Sequence, residues 1–292
     1  MCCHRPSYPP PQPSSFHFVY NSSPTYWDSI LGLSASYPNV TFVGQAPATG
    51  VSRDRWVAYV SYRSNPQPTA ADINRLLVDP ATAPTFVMVE ELHDAASQAY
   101  FIALANEMRT RYPQWAGRWG AFLSFGNYPV LQDGINALLD ANAIISLELY
   151  PSKASYCAAG STGGARDIWL SEQFIGNASL GRLNWLLARR AGRGSQSYIT
   201  PLFGVGDVLV GETNGAIFLD RMFYVWATRT GHRNMILAAN GGPGAYKWQT
   251  VAETPAGYGI NNTSRDLAFA QSFQHYSVAG LTTSRLGPVP CP

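Results

Sequence analysis

Eight short apolar runs, rich in β-branched and aromatic residues, recur along this chain, and most carry almost no polar interruption. They are Phe16–Tyr20, Val40–Gly44, Trp56–Tyr62, Phe86–Glu91, Gly120–Phe125, Ile144–Leu149, Ile199–Val205 and Asn234–Ala239. A strand wet on one face alternates apolar and polar residues. A strand covered on both faces does not, so continuous runs point to parallel strands sandwiched by helices. Helical patterns fall between them, at Tyr26–Ser36, Ala70–Leu77, Ala96–Arg111, Pro129–Ala141, Asp167–Arg190, Asn214–Thr230 and Ser264–Tyr276.

Eight such strands with intervening helices predict an α/β fold, a (β/α)8 TIM-like barrel. Residues 45–55 strain that reading, because they contain Pro47 and Gly50 and are short for a crossover helix. Distortion is therefore expected around strands 2 and 3, with a hairpin there or an open doubly wound sheet as alternatives. Residues 1–15 carry five prolines and read as an extended tether. Residues 16–292 read as one domain.

Charge is scarce. Lys, Arg, Asp and Glu make up 13% of 292 residues, about half of the roughly 25% usual for a soluble domain. The 46% hydrophobic content rules out disorder as the cause. A net charge of +2 argues against a nucleic-acid partner, which would demand phosphate-neutralising charge. No apolar stretch reaches about 18 residues, so no transmembrane segment is expected. The balance of Tyr, Trp, Gly, Pro and Asn suits a secreted or cell-surface chain with a neutral, polar partner, and a monomer is expected. No signal peptide is expected at the start, and a lipid anchor through Cys2 or Cys3 is one route to the surface. The four cysteines, Cys2, Cys3, Cys157 and Cys291, suit disulfides. The favoured bond joins Cys2 or Cys3 to Cys291, leaving the other N-terminal cysteine for Cys157.

Several chemistries lack their residues. No G-x-S-x-G elbow, Walker A motif or H-E-x-x-H pair occurs. Gly160-Ser161-Thr162-Gly163-Gly164 has the wrong spacing and reads as a flexible loop. His93-Asp94 is a lone ligand pair without a second histidine at helical or strand spacing, so no metal and no cofactor are expected.

Among only 18 acidic residues, a few stand at the ends of predicted strands. Glu90 and Glu91 end run four, Glu148 lies near the end of run six, and Asp207 follows run seven. In run six, Ile145, Leu147 and Leu149 share the helix-facing side, so Ser146, Glu148 and Tyr150 face inward. In run four, Met88 and Glu90 face inward and Glu91 outward or at the rim; a strand-end bulge would reverse that choice. Two inward carboxyl groups are the minimum for breaking a glycosidic bond. One protonates the leaving oxygen; the other attacks the sugar carbon or activates water. Glu90 and Glu148 form the working pair, with Glu91 and Asp207 as the reserve acids. The plainer reading pairs Glu90 or Glu91 with Arg63 or Arg118 at the rim. Asn127, Tyr150, Asn240, Tyr246 and Trp248 lie in or beside strand-end loops, where amides bind hydroxyls and aromatic rings stack on sugars.

In its eight runs and in the segments VMVEEL and ISLELY, the sequence resembles secreted (β/α)8 glycoside hydrolases, over nearly all of residues 16–278. The likeness is architectural. The Asn-Glu pair common at the end of strand four in such enzymes is replaced by Glu90-Glu91, and run seven ends in Asp207 rather than Glu. The resemblance implies a glycosidase acting on an extracellular polysaccharide or oligosaccharide. The alternatives are a carbohydrate-binding barrel without activity and a metal-assisted hydrolase or lyase.

Overall fold

The structure is a computed structural model. It describes residues 15–19, 40–44, 56–79, 83–84, 86–123, 130–149, 151–175, 182–204, 217–218, 220–222, 224–225, 235–239 and 287–291. In β1 (Ser15–Val19), β2 (Val40–Gly44) and β8 (Met235–Ala239) the description is of backbone alone. The other strands are β3 (Trp56–Ser61), β4 (Phe86–Leu92), β5 (Trp119–Leu123), β6 (Ile144–Leu149) and β7 (Ile199–Gly204). The helices are α1 (Ala70–Val78), α2 (Ala95–Arg111), α3 (Gln132–Asp140), α4 (Lys153–Ala158), α5 (Gly163–Ile175) and α6 (Arg182–Gly192). The chain is thus α/β, with a parallel sheet and helices in the connections.

Each strand pairs in parallel with the next in sequence, and β1 pairs with β8, so the strand order closes on itself. The hairpin considered for runs two and three does not occur. β2 and β3 run parallel, with Phe42 opposite Trp56 and Gly44 opposite Ala58. The expected helices at Tyr26–Ser36 and Ser264–Tyr276 lie outside the described residues.

Alternation along the strands separates two apolar layers. Val87 and Val89 of β4, Ala121 and Leu123 of β5, and Ile145 and Leu147 of β6 join the buried cluster that the helices cover. Phe86, Met88, Phe122 and Ile144 are also buried but stand outside that cluster, on the opposite strand face, inside the ring. Gly120 brings β5 and β6 together at that inner face. A side chain there would run into the Ile144 carbonyl, with its Cβ 2.7 Å from the carbonyl carbon.

The helices begin where local chemistry satisfies their free N–H groups. Thr69 caps α1 and forms a reciprocal box with Asp72. Asp94 does the same for α2 with Ser97. α2 then buries Ser97, Phe101, Leu104, Ala105 and Met108, a helical stripe against the strands. α3 has no side-chain cap of its own; Gln98 of α2 accepts from the Gly134 N–H at 3.1 Å instead.

Two expectations need correction. The glycine segment is not a loop throughout. α5 starts at Gly163, because the Thr162 hydroxyl accepts the Ala165 N–H at 3.2 Å and caps the first turn. The favoured disulfide is also replaced, since Cys291 bonds to Cys157 across 134 residues, with Cα atoms 5.3 Å apart. Val289, buried in the core, brings the C-terminal end to α4. Cys2 and Cys3 lie outside the described residues.

Candidate functional site

The site begins with a count of residues on two strands. Between β4 and β5, Val89 stands opposite Ala121, and the next pair is Leu92 opposite Leu123. β4 advances three residues while β5 advances two, so one extra residue is inserted at Glu90-Glu91. This is a β-bulge, which bends the strand and re-aims side chains. Counting forward from Met88 puts Glu90 on the inner face. Counting back from Leu92, which lies in the helix-covered cluster, puts Glu91 on that face too. Both glutamates are partly buried. The sequence places Glu91 outward or at the rim unless a bulge intervenes; a bulge does intervene, and it sets the two carboxylates at the same end of the ring.

β3 supplies the neighbours. Ser61 stands opposite Glu90, and the Tyr62 N–H donates to the Glu90 carbonyl at 3.0 Å. Arg63 follows. Its backbone N–H donates to the Ser61 hydroxyl at 3.2 Å, and its guanidinium lies 5.5 Å from the centre of the Tyr62 ring. One guanidinium nitrogen lies 3.1 Å from Nε2 of His93. The Tyr62 ring is buried and packs against His93 at 5.7 Å, Tyr100 at 5.7 Å and Phe101 at 6.4 Å. The hydrogen bond to Tyr62 is the main reason that Arg63 is held above the usual guanidinium range, and the charges of Glu90 and Glu91 add to it.

His93 and Asp94 link this end of β4 to α2. The His93 ring places Nδ1 3.0 Å from the Glu91 carbonyl and Nε2 3.2 Å from an Asp94 oxygen. The Ser97 N–H, and then its hydroxyl, hold the Asp94 carboxyl below its usual range; the charge of Arg63 acts in the same direction. Among the described residues, no group of three or more His, Cys, Asp and Glu side chains could hold a metal ion.

The plainer reading of the glutamates can be tested on geometry. Arg118 precedes β5 and donates to the Pro84 carbonyl at 2.9 Å, at the opposite end of the strands from Glu90. Arg63 is at the right end, yet the ion pairs among the described residues do not join it to Glu90 or Glu91. It acts on them as a neighbouring charge rather than as a direct partner.

Glu148 is a backbone position in β6, opposite Leu202 of β7. Phe122 stands opposite Ser146, so the register sets Glu90-Glu91 level with Ser146 and places Glu148 one inner layer further along. The expectation for the Glu148 side chain lies outside the described residues, as do those for Asn127, Tyr150, Asp207, Asn240, Tyr246 and Trp248.

Two residues at this end of the strands have surroundings that the sequence reading does not anticipate. Ser146 is fully buried on the inner face of β6, and its hydroxyl has no hydrogen-bond partner among the described residues. Its place two residues before Glu148 was the available signal. The sequence offers His93 as a metal ligand, whereas its ring contacts include Arg63, Asp94 and the backbone of Glu91.

No family profile and no curated protein matches the chain. Among solved structures it is similar to the crystal structure of "the N-terminal domain of a putative aldolase from Bacteroides vulgatus". The two are 12% identical, over 80% of this chain and 76% of that one, with a TM-score of 0.42. A likeness of this size carries no argument about activity. The class that the chain's own geometry defines is an α/β protein with a closed order of parallel strands and an acidic cluster at their C-terminal end. No helix among the described residues is long and apolar enough to cross a membrane.

Proposed function

We propose that the chain is a (β/α)8 barrel of the TIM type and a glycoside hydrolase, secreted or held at the cell surface, acting on a neutral polysaccharide or oligosaccharide. One observation carries the reading: the β4 bulge turns Glu90 and Glu91 to the same strand end, beside Arg63 and within two strands of Glu148. Functional groups of such barrels gather at that end. In the reaction, one carboxylic acid gives its proton to the glycosidic oxygen as the C–O bond breaks. The second carboxylate attacks the anomeric carbon or takes a proton from the attacking water. Glu90 and Glu148 serve these two roles, and Glu91 shapes the charge around them.

A panel of polysaccharides with reducing-end detection tests this. The wild-type protein should release sugar from at least one of them. Glu90→Gln and Glu148→Gln should each lower the rate by roughly a hundredfold or more, and Glu91→Gln by less. Binding of a glycan without cleavage would replace the enzyme with a carbohydrate-binding protein. Loss of activity with a chelator would point to metal-assisted chemistry.

A further inference from the structure

A bulge leaves one backbone carbonyl outside the strand ladder, and that group needs a partner. In β4 the Glu90 carbonyl keeps its ladder bond from the Tyr62 N–H. The Glu91 carbonyl instead faces the His93 ring, with Nδ1 at 3.0 Å. We propose that Arg63 and His93 form a clamp that fixes this bulge and so the aim of Glu90 and Glu91.

The clamp closes only when the right nitrogen of His93 carries the proton. A guanidinium only donates hydrogen bonds. A hydrogen bond from Arg63, 3.1 Å from Nε2, needs that nitrogen bare. A neutral ring with a bare Nε2 carries its proton on Nδ1, which is the nitrogen that must donate to the Glu91 carbonyl. The two contacts require the same tautomer and reinforce each other. Asp94 pulls the other way: its carboxylate accepts only, and it stands 3.2 Å from the same Nε2. A proton on Nε2 would suit Asp94 but oppose Arg63: in a neutral ring it would leave Nδ1 with no proton to donate to the Glu91 carbonyl, and in a doubly protonated ring it would set two cations against each other. Arg63 therefore decides the tautomer, and the tautomer holds the bulge. Tyr62 backs both partners, its ring against His93 and beneath the guanidinium.

Arg63 and His93 are positioning residues, and their effect on rate rests on the glycosidase reading. The clamp itself has a readout that needs no substrate. Nitrogen-15 NMR of the imidazole should find His93 with its proton on Nδ1 in the full-length protein. Arg63→Met should move the proton toward Nε2, and Arg63→Lys should restore the wild-type form at least in part. On a cleaved substrate, Arg63→Met should lower kcat by about tenfold to a hundredfold, as expected for misaimed catalytic groups. KM should stay within about twofold. His93→Asn, whose amide stands where Nδ1 stands, should keep more activity than His93→Gln.

A wild-type ring protonated on Nε2 would overturn the clamp, as would an unchanged tautomer in a folded Arg63→Met variant. If the tautomer behaves as described and no glycan is cleaved, the glycosidase reading falls and the clamp stands. If sugar is released but the tautomer is wrong, only the clamp falls.

Discussion

Asp167 of α5 accepts the Nε–H of Arg221 at 2.7 Å, joining two helical segments 54 residues apart. A second guanidinium nitrogen of Arg221 bonds the other Asp167 oxygen, and the Tyr156 hydroxyl donates to Asp167 at 3.0 Å. The pair is largely shielded, at 15% and 11% side-chain exposure for Arg221 and Asp167. Removing one partner leaves an uncompensated charge, so Asp167→Ala and Arg221→Met should each cost roughly 3 kcal/mol. The double variant should lose less than the sum. Urea unfolding of the four proteins measures both quantities. Equal stabilities would show that the pair contributes nothing.

Tyr156 makes alkaline stability depend on that same network. Burial raises its phenol from 10.0 to about 12, and the Asp167 charge and hydrogen bond add to the effect. The folded value lies above the unfolded one. The associated stability is therefore complete below about pH 10 and lost as pH climbs to about 12, where the folded phenol also ionises. Tyr156→Phe should flatten the fall in melting temperature between those limits. Absorbance of tyrosinate should show one fewer late-titrating group.

The Cys157–Cys291 bond should appear as a linked peptide in a non-reducing digest. It closes a 134-residue span, for which chain entropy gives about 4–5 kcal/mol of stabilisation. Reduction, or Cys291→Ser, should lower the unfolding midpoint accordingly. A peptide joining Cys291 to Cys2 or Cys3 would contradict the pairing.

Gly120 tolerates nothing larger, because the clash is with the backbone of β6 rather than with a mobile side chain. Gly120→Ala should destabilise by roughly 2–3 kcal/mol or prevent folding. Gly164→Ala is the control, since a Cβ there meets nothing within 4 Å. The two variants compared by thermal melting check the contrast.

Acid should loosen the starts of α1 and α2. Backbone N–H groups at Thr69 and Ser97 hold the Asp72 and Asp94 carboxyls below their usual range. That stabilisation is present above about pH 4, the unfolded value, and disappears as pH falls through the lower folded values. Asp72→Asn with Asp94→Asn should shallow the acid limb of a melting-temperature profile while leaving its alkaline limb unchanged.

Much of the strand pattern was legible in the sequence. The second and sixth runs, Val40–Gly44 and Ile144–Leu149, coincide with β2 and β6, and each of the other six overlaps its strand. Strands buried on both faces announce themselves through unbroken apolar runs, which depend on local composition alone. α4 was not legible. Its six residues are too few to show a helical period, and it exists because Ser152 caps it and Tyr156 is buried against its neighbours. Periodicity also could not choose between Glu90 and Glu91, since the bulge at these residues is a mismatch between β4 and β5.

The sequence by itself determined the parallel strand runs, the inner and outer faces of β4 up to Met88, and the scarcity of charge that singles out these glutamates. Those properties follow from each residue and its near neighbours. Tertiary structure decided the partners. Cys291 reaches Cys157 because the chain end packs into the core beside α4. Arg63 meets His93 because β3 and β4 pair in one register, which brings together residues thirty positions apart. Hydrophobic pattern is written along the chain; register and charge pairing arise only when separate segments are brought within a few ångströms.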